Sequence, residues 1–453
     1  MPGHDLTNDP IPQLFARLAI PASVGYVFHT LYNVTDTWFA GRLGEVELAA
    51  LGLTFPVFFI IVALGAGLSQ GGTALISNAL GEGKQALACT YGAQAIGCAL
   101  LVTLVSTVLG LAAAPALFRM LGAQGRYLET ALQYSNVLYL GSFAFFVVFV
   151  FSSILSAHGD TKSYRNVLIA GFCLNWALNP LFMYGVGPIP ALGVGGIALA
   201  TVASQSIGAA YLLRQIIRAG GLKDRTPRDF FPRAALLRDI FKQGAPPSLN
   251  MFTVALGIFV ITYFLSGFGP DAVAAYGVAT RIEQIFLLPS IGINVAVLAL
   301  VGQNNGARRF DRVHDAYYCG LRYGFFLGLS GGVLLFIGSR PLVAQFTDSN
   351  AVADIAIQYL QIAAFLPFCY SLLFSTVSAL QGLKKPIYAL WVGLIRQIIA
   401  PAVFFGIAVH VLRLGLLSIW LSIAIIVSSA AGIMFLIGRH HIARAAHLNQ
   451  TPS

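Results

Sequence analysis

The chain has 453 residues, of which 57% are hydrophobic and only 10% charged, with a formal net charge of +10. A soluble globular chain carries about 25% charged residues, so this composition excludes a water-soluble surface and predicts an all-α, multi-pass membrane protein. A closed barrel, the other fold that satisfies its backbone in lipid, needs a strict two-residue alternation; runs such as 57–68 and 416–437 are instead continuously apolar.

Hydropathy and loop punctuation predict twelve spans, near 15–40, 52–78, 89–112, 133–157, 166–187, 194–217, 245–267, 276–303, 316–338, 357–380, 387–410 and 414–438. Ahead of them, residues 1–12 lack the charged start of a secretory signal, so no cleaved signal peptide is expected. The first span holds a lone carboxylate, Asp36. An ionisable group at bilayer depth is costly to keep and is a functional-site hypothesis by default. Burial penalises the charged form of a carboxyl group, which suits one that loads and unloads a proton. His29 lies seven residues earlier, two turns away on the same face, as either a proton relay or a packing side chain. Asn136 and Tyr139 in the fourth span are candidate cavity-lining residues.

Residues 219–243 are the longest connection and carry Lys223, Arg225, Arg228, Arg233, Arg238 and Lys242. They read as a cytoplasmic linker between an N-lobe, 1–218, and a C-lobe, 244–453. In the C-lobe, Arg281 and Glu283 fall in the eighth span and Arg396 in the eleventh. Residues two apart on a helix do not face each other, so Arg396 is the expected partner of Glu283 in a set of buried charges. Those charges either hold the lobe together or bind cargo or protons. Pro21 and Pro246 are expected to kink their helices. The five cysteines, Cys89, Cys98, Cys173, Cys319 and Cys369, show no zinc spacing and read as packing residues. His440, His441 and His447 belong to a basic tail rather than a metal site.

With both termini placed in the cytoplasm, 20 of the 27 lysines and arginines fall on the inner side, five on the outer side and two within spans. That bias sets the orientation and predicts a plasma membrane protein of the bacterial inner-membrane type. The positive charge reports topology and an anionic inner leaflet; nothing in its pattern points to nucleic acid.

A shift of 225 residues aligns the halves without a gap over about 60 positions. Gly41-Arg-Leu-Gly44 and Ala49-Ala50-Leu-Gly52 fall on Ser266-Gly-Phe-Gly269 and Ala274-Ala275-Tyr-Gly277. Pro21 falls on Pro246, Ser23 on Ser248 and Gly67 on Gly292. Each half is therefore a six-helix bundle. A repeat related by an axis along the membrane normal is a transporter architecture, with cargo bound between the halves. The counterpart of Asp36 is Ile261, so the acid belongs to the first half alone.

Several segments together resemble the multidrug and toxic compound extrusion (MATE) family in its DinF-like branch. They are Asn33-Val-Thr-Asp36 with Gly41-Arg-Leu-Gly44, Asn175-Trp-Ala-Leu-Asn179-Pro180 in the fifth span, Gly195-Gly196 through Thr201 in the sixth, and Val301-Gly302-Gln303-Asn304-Asn305-Gly306 after the eighth. The resemblance implies two six-helix bundles around a V-shaped central cavity, alternating access, and export of organic cations or drugs in exchange for H⁺ or Na⁺. It also implies an ion site in the N-lobe at Asp36, Asn175, Asn179 and Thr201. The branch with acids in the seventh and tenth spans fits less well, because those spans here contain neither Asp nor Glu.

One departure bears on the coupling ion. The family pattern has Asp where this chain has Asn179. A hard cation prefers anionic oxygen, whereas protonation of Asp36 needs no second acid, so H⁺ is favoured over Na⁺. No resident cofactor, no enzyme activity and a monomer are expected, with the bilayer and small amphipathic cations as partners. The alternative is a flippase of lipid-linked precursors from the related superfamily, which would want a strongly cationic cavity; only Arg281 and Arg396 are cations within spans.

Overall fold

The computed structural model describes residues 5–447 and gives side chains up to residue 445, and every regular element of three turns or more among them is a helix. In chain order these are α1 (Ile11–Leu43), α2 (Glu45–Gly81), α3 (Gln85–Met120), α4 (Gly125–Leu140), α5 (Ser142–Ala157), α6 (Lys162–Tyr184) and α7 (Gly193–Arg218). After the linker come α8 (Ala234–Ser266), α9 (Pro270–Gly306), α10 (Phe310–Val343), α11 (Asn350–Ala363), α12 (Leu366–Gly382), α13 (Ile387–Leu394), α14 (Ala400–Gly406) and α15 (Leu417–His447). Among the described residues ten single helical segments are long and apolar enough to cross a membrane; two bent pairs, each taken as one span, complete twelve. Helices are the outcome because each span must close its own backbone hydrogen bonds in lipid.

The bent pairs fall at corresponding places in the two halves. The fourth span is α4 and α5, bent by 45° at Gly141, and the tenth is α11 and α12, bent by 51° at residues 364–365. Both were expected as single spans, and each bend has a local cause. A side chain at Gly141 would collide with Val202 of α7, so the chain turns where it must pass close to that helix. In α12, Pro367 sits in the first turn, where its missing N–H costs nothing. The eleventh span runs from Ile387 to Val411 but contains two π-type turns, Ile395–Ile399 and Ile407–Val411. Such turns are rare and concentrate at functional positions.

The chain forms two compact units, with boundaries that differ from those expected at 218/219 and 243/244. The first unit takes in Val24–Ser248; the second comprises, among the described residues, 5–23 and 249–447. The first turns of α1 therefore pack with the second half of the chain, and the start of α8 packs with the first half. The repeat explains the exchange. In the first unit Gly67 of α2 lies against Ser248 and the Gly244 carbonyl of α8; in the second, Gly292 of α9 lies against Ser23 and the Ala19 carbonyl of α1. These are the same contact made twice by residues that the repeat superposes. Small residues permit such close approach between helices in lipid. Gly292→Val therefore forces α9 from α1 and is expected to cost about 1–3 kcal/mol by overpacking, read as a lowered Tm in detergent; an unchanged Tm would show that the contact is not tight.

Each unit has its own apolar core. That of the first includes Ile61, Phe118, Leu138, Phe146 and Ile197. In the second, Leu6, Leu14, Phe15 and Leu18 join Val297, Val313 and Tyr317. The segment before α1 is tied down by side chains of the same unit. Asn304 donates to the Leu6 carbonyl at 3.0 Å, Arg309 to that of Thr7 at 2.7 Å, and Arg312 to that of Asp9 at 2.6 Å. Thr7 and Asn8 donate to the Asp5 carboxylate, and the Thr7 bond leads in holding its pKa below the usual value. The basic linker is docked as well: the Gln94 amide of α3 donates to the carbonyls of Asp229 and Phe231 at 2.6 and 2.7 Å and accepts from the Arg233 N–H at 2.8 Å.

Candidate functional site

Three helices of the first unit converge on Asp36. The α1 stretch around it is rich in side chains that bond back to the preceding turn: Asn33 to the His29 carbonyl at 2.9 Å, Thr35 to Leu31 and Thr37 to Asn33 at 3.0 Å each. Back-bonding of this kind loosens and bends helices. On α6, the four-residue spacing of Asn175 and Asn179 sets both carboxamides on one face, and both are fully buried. On α7, Gly196 lets the backbone approach α6 so closely that a side chain there would strike the Phe182 carbonyl. That approach brings Thr201 to the asparagines.

Asp36 is 6% exposed and accepts hydrogen bonds from all three. Its Oδ1 takes the Nδ2 groups of Asn175 at 2.9 Å and Asn179 at 3.0 Å, while Oδ2 takes the Thr201 hydroxyl at 2.9 Å. The two asparagines also bond each other, Asn179 Nδ2 to Asn175 Oδ1 at 2.9 Å. Asn179 Oδ1 is buried with no partner. Among the described residues no lysine, arginine or histidine forms an ion pair with Asp36. A buried carboxylate ordinarily has a cation beside it; here three neutral donors satisfy it. That arrangement leaves the charge open to neutralisation by a proton or a small cation.

The structure brings together the four residues Asp36, Asn175, Asn179 and Thr201, and separates the others. His29 is half-buried beside Tyr26, with ring centroids 6.4 Å apart, and lines a small cavity with Tyr32. Tyr139 is buried in the apolar core, its ring in the space left by Gly110 of α3, and Asn136 is half-buried on the same helix. Tyr32 of α1 was missed by sequence reasoning. Its hydroxyl lies beside Thr201, Ser204 and Asn175, and its position four residues before Asp36, hence on the same helical face, was the available signal.

The second unit holds its own buried polar group. Glu283 is 5% exposed and its Oε2 accepts from the Tyr359 hydroxyl at 3.0 Å. The expected ion pair with Arg396 is not formed among the described residues: Arg396 is buried in the π-type turn of the eleventh span, its guanidinium 5.4 Å from the centre of the Tyr370 ring. Tyrosines take the places that direct pairing would have filled. Arg281, expected among the buried charges, is exposed, because two residues along a helix turn it away from Glu283. In the tail, His441 is half-buried rather than free in solvent, bonding Lys385 at 2.8 Å and Tyr388 at 2.7 Å, while the His447 side chain lies outside the described residues. No group of three metal-ligating side chains occurs among the described residues.

Twelve spans built as a repeat, with a lone acid clasped by neutral donors in one half, are the architecture of a multi-pass membrane transporter. Two segments of the chain, 21–181 and 246–405, match the MatE family model. Their starts, Pro21 and Pro246, are the residues that the internal repeat superposes. The chain belongs to this family of multidrug efflux transporters. It is 24% identical over 422 residues to a probable multidrug resistance protein NorM of Thermotoga maritima, covering 92% of this chain and 90% of that one. It is 25% identical to an FAD transporter of Shewanella oneidensis, over 87% of this chain and 88% of that one. Its fold superposes on a MOP superfamily transporter from Pyrococcus furiosus with a TM-score of 0.91 and 28% identity, covering 98% of this chain and 99% of the other.

Proposed function

We propose that the protein is a secondary antiporter of the DinF-like branch that exports amphipathic organic cations in exchange for H⁺ carried by Asp36. The observation that carries this reading is the clasp of three neutral donors around one buried carboxylate. Protonation turns one acceptor of that carboxyl into a donor, so the clasp then holds one donor too many. Asn179 supplies the missing acceptor: its Oδ1 is buried and unpartnered, and a rotation of its amide presents that oxygen to the new proton. The rotation withdraws a bond from Oδ1 of Asp36, at the part of α1 loosened by back-bonding. The proton thereby changes the relative stability of two arrangements of α1, and an ion shifts a conformational equilibrium only through such differential affinity.

In this reading the protein lies in the plasma membrane with both termini in the cytoplasm, as the lysine and arginine bias supports. Relatives named for multidrug resistance support organic cations as cargo. The relative named an FAD transporter makes an anionic cargo the competing outcome.

The test is efflux from proteoliposomes carrying a cationic dye, with pH and Na⁺ gradients imposed one at a time. A pH gradient alone is expected to drive exchange. Exchange driven only by Na⁺ would transfer the role to a cation held by the same oxygens, and exchange driven by neither would overturn antiport.

A further inference from the structure

We propose that Asp36 exchanges its proton with the cytoplasm along a water-lined path inside the first unit, from Tyr32 past Ser204, Gln205 and His29 into a cavity between α6 and α7. The inference rests on the coupling role of Asp36 argued above and adds the route that its proton takes.

Two cavities define the path. The inner one has about 10 Å³ of free volume and is lined by His29, Tyr32, Gly171, Ser204 and Gln205 among others. That volume is roughly what one water molecule needs. Three polar atoms around it, the Tyr32 hydroxyl, Ser204 Oγ and Gln205 Oε1, are buried with no hydrogen-bond partner. Tyr32 is 7% exposed and Ser204 3%. A buried polar group left unsatisfied costs about 1–3 kcal/mol, and a water in this cavity would satisfy all three atoms. A lone unpaired hydroxyl would be a packing accident; three meeting at one water-sized space make a water site.

The outer cavity has about 290 Å³ of free volume and shares Val167, Gly171 and Ser204 with the inner one, so the two adjoin across these side chains. Glycine at 171 and 208 leaves the room: the Tyr32 ring comes within 3.7 Å of the Cβ position at Gly171, and a side chain at Gly208 would press on Val167. At the mouth, Asn166 donates to the Tyr211 hydroxyl at 3.4 Å and accepts from Arg165 at 2.8 Å. This end of the α6–α7 pair carries Lys162, Arg165, Arg214 and Arg218, the side that the charge bias assigns to the cytoplasm.

At the inner end the Tyr32 hydroxyl sits beside Thr201, which donates to Asp36 at 2.9 Å. The titratable groups facing Asp36 are Tyr32 on its own helix and Tyr134 on α4; α6 and α7 present only the neutral Asn175, Asn179 and Thr201. A chain of hydroxyl, water and carboxamide passes a proton, and the one-water inner cavity excludes an organic cation. The proton leaves by a route that the cargo cannot enter.

Accessibility tests the path apart from coupling. With the five cysteines replaced by alanine, Ser204→Cys is treated with the membrane-impermeant anion 2-sulfonatoethyl methanethiosulfonate in inverted and in right-side-out vesicles, with Ala198→Cys in the fully buried core of α7 as control. Only a hydrated thiol ionises and reacts. Modification is expected at least about tenfold faster in inverted vesicles. Equal or reversed rates, or a rate no greater than that of the control, would overturn the path. In parallel, Gln205→Leu is expected to slow pH-driven exchange by about tenfold or more, the scale of a lost proton-transfer group, with cargo Kd unchanged; full exchange in that variant would also refute the proposal. Should Asp36→Asn still exchange, the coupling reading fails by itself, while the Ser204→Cys rates continue to report whether the route exists.

Discussion

Asp36→Asn is expected to abolish pH-driven exchange, by about 10²-fold or more, the low end for removing an essential proton-transfer group, and to leave the protein folded. The second half of that expectation follows from the bonds at the site. The new side chain keeps an oxygen where Asn175 and Asn179 donate, 2.9 and 3.0 Å from the present Oδ1. Its amide replaces Oδ2 opposite Thr201, whose hydroxyl both donates and accepts. Thr201 turns its hydrogen to the Ile197 carbonyl, already 3.1 Å away, and receives the amide instead. Every bond that Asp36 now accepts has a replacement, and only the ability to gain and lose a proton disappears. Asp36→Leu is the contrasting variant. It strands the Asn175 and Asn179 N–H groups at about 1–3 kcal/mol each, while Thr201 keeps the Ile197 carbonyl, so it loses folded protein together with activity and says little about mechanism. Dye efflux under a pH gradient, measured beside the elution profile and Tm, separates the two. Normal exchange by folded Asp36→Asn would remove the acid from the coupling cycle.

The contrast between these variants also shows why part of the site is legible in the sequence. Asp36 declared itself because it is a charge in an apolar span, a signal that one residue carries alone. Asn175, Asn179 and Thr201 came only through the resemblance to the family, whose motifs they match. Tyr32 and Ser204 carry no such mark: a tyrosine in a span is ordinarily packing, and a serine is ordinarily a helix contact. Their role comes from converging on a common space, which is a tertiary fact. The second unit shows the same limit. Opposite charges at Glu283 and Arg396 suggested a direct pair, but Tyr359 and Tyr370 intervene, and one-dimensional charge counting cannot see which neutral hydroxyl or ring lies nearer. The repeat was legible through its prolines and glycines, because close helix approach leaves small residues at fixed intervals. That Gly67 and Gly292 serve exchanged helix starts, Ser248 of α8 and Ser23 of α1, needed the packing itself.

Asn179→Asp is expected to confer a response to Na⁺ that the parent lacks. The substitution converts a neutral donor 3.0 Å from the Asp36 oxygen into a second carboxylate. Two carboxylates at that separation cannot both remain charged and unshared, because like charges held this close in a buried site repel strongly. They accommodate each other by sharing a proton or by enclosing a cation. Asn175 and Thr201 already bring neutral oxygens to the same spot, so a second anionic oxygen completes the kind of all-oxygen set that a hard cation selects. Dye efflux under a Na⁺ gradient at constant pH should rise by about tenfold over the parent, equivalent to about 1.4 kcal/mol of added preference for the ion, and ²²Na⁺ should bind the purified variant. The parent with Asn179 should be indifferent to Na⁺ in both measurements. Equal Na⁺ dependence in the two proteins would mean that one carboxylate suffices for the metal ion, and that the asparagine at this position is not what selects the proton.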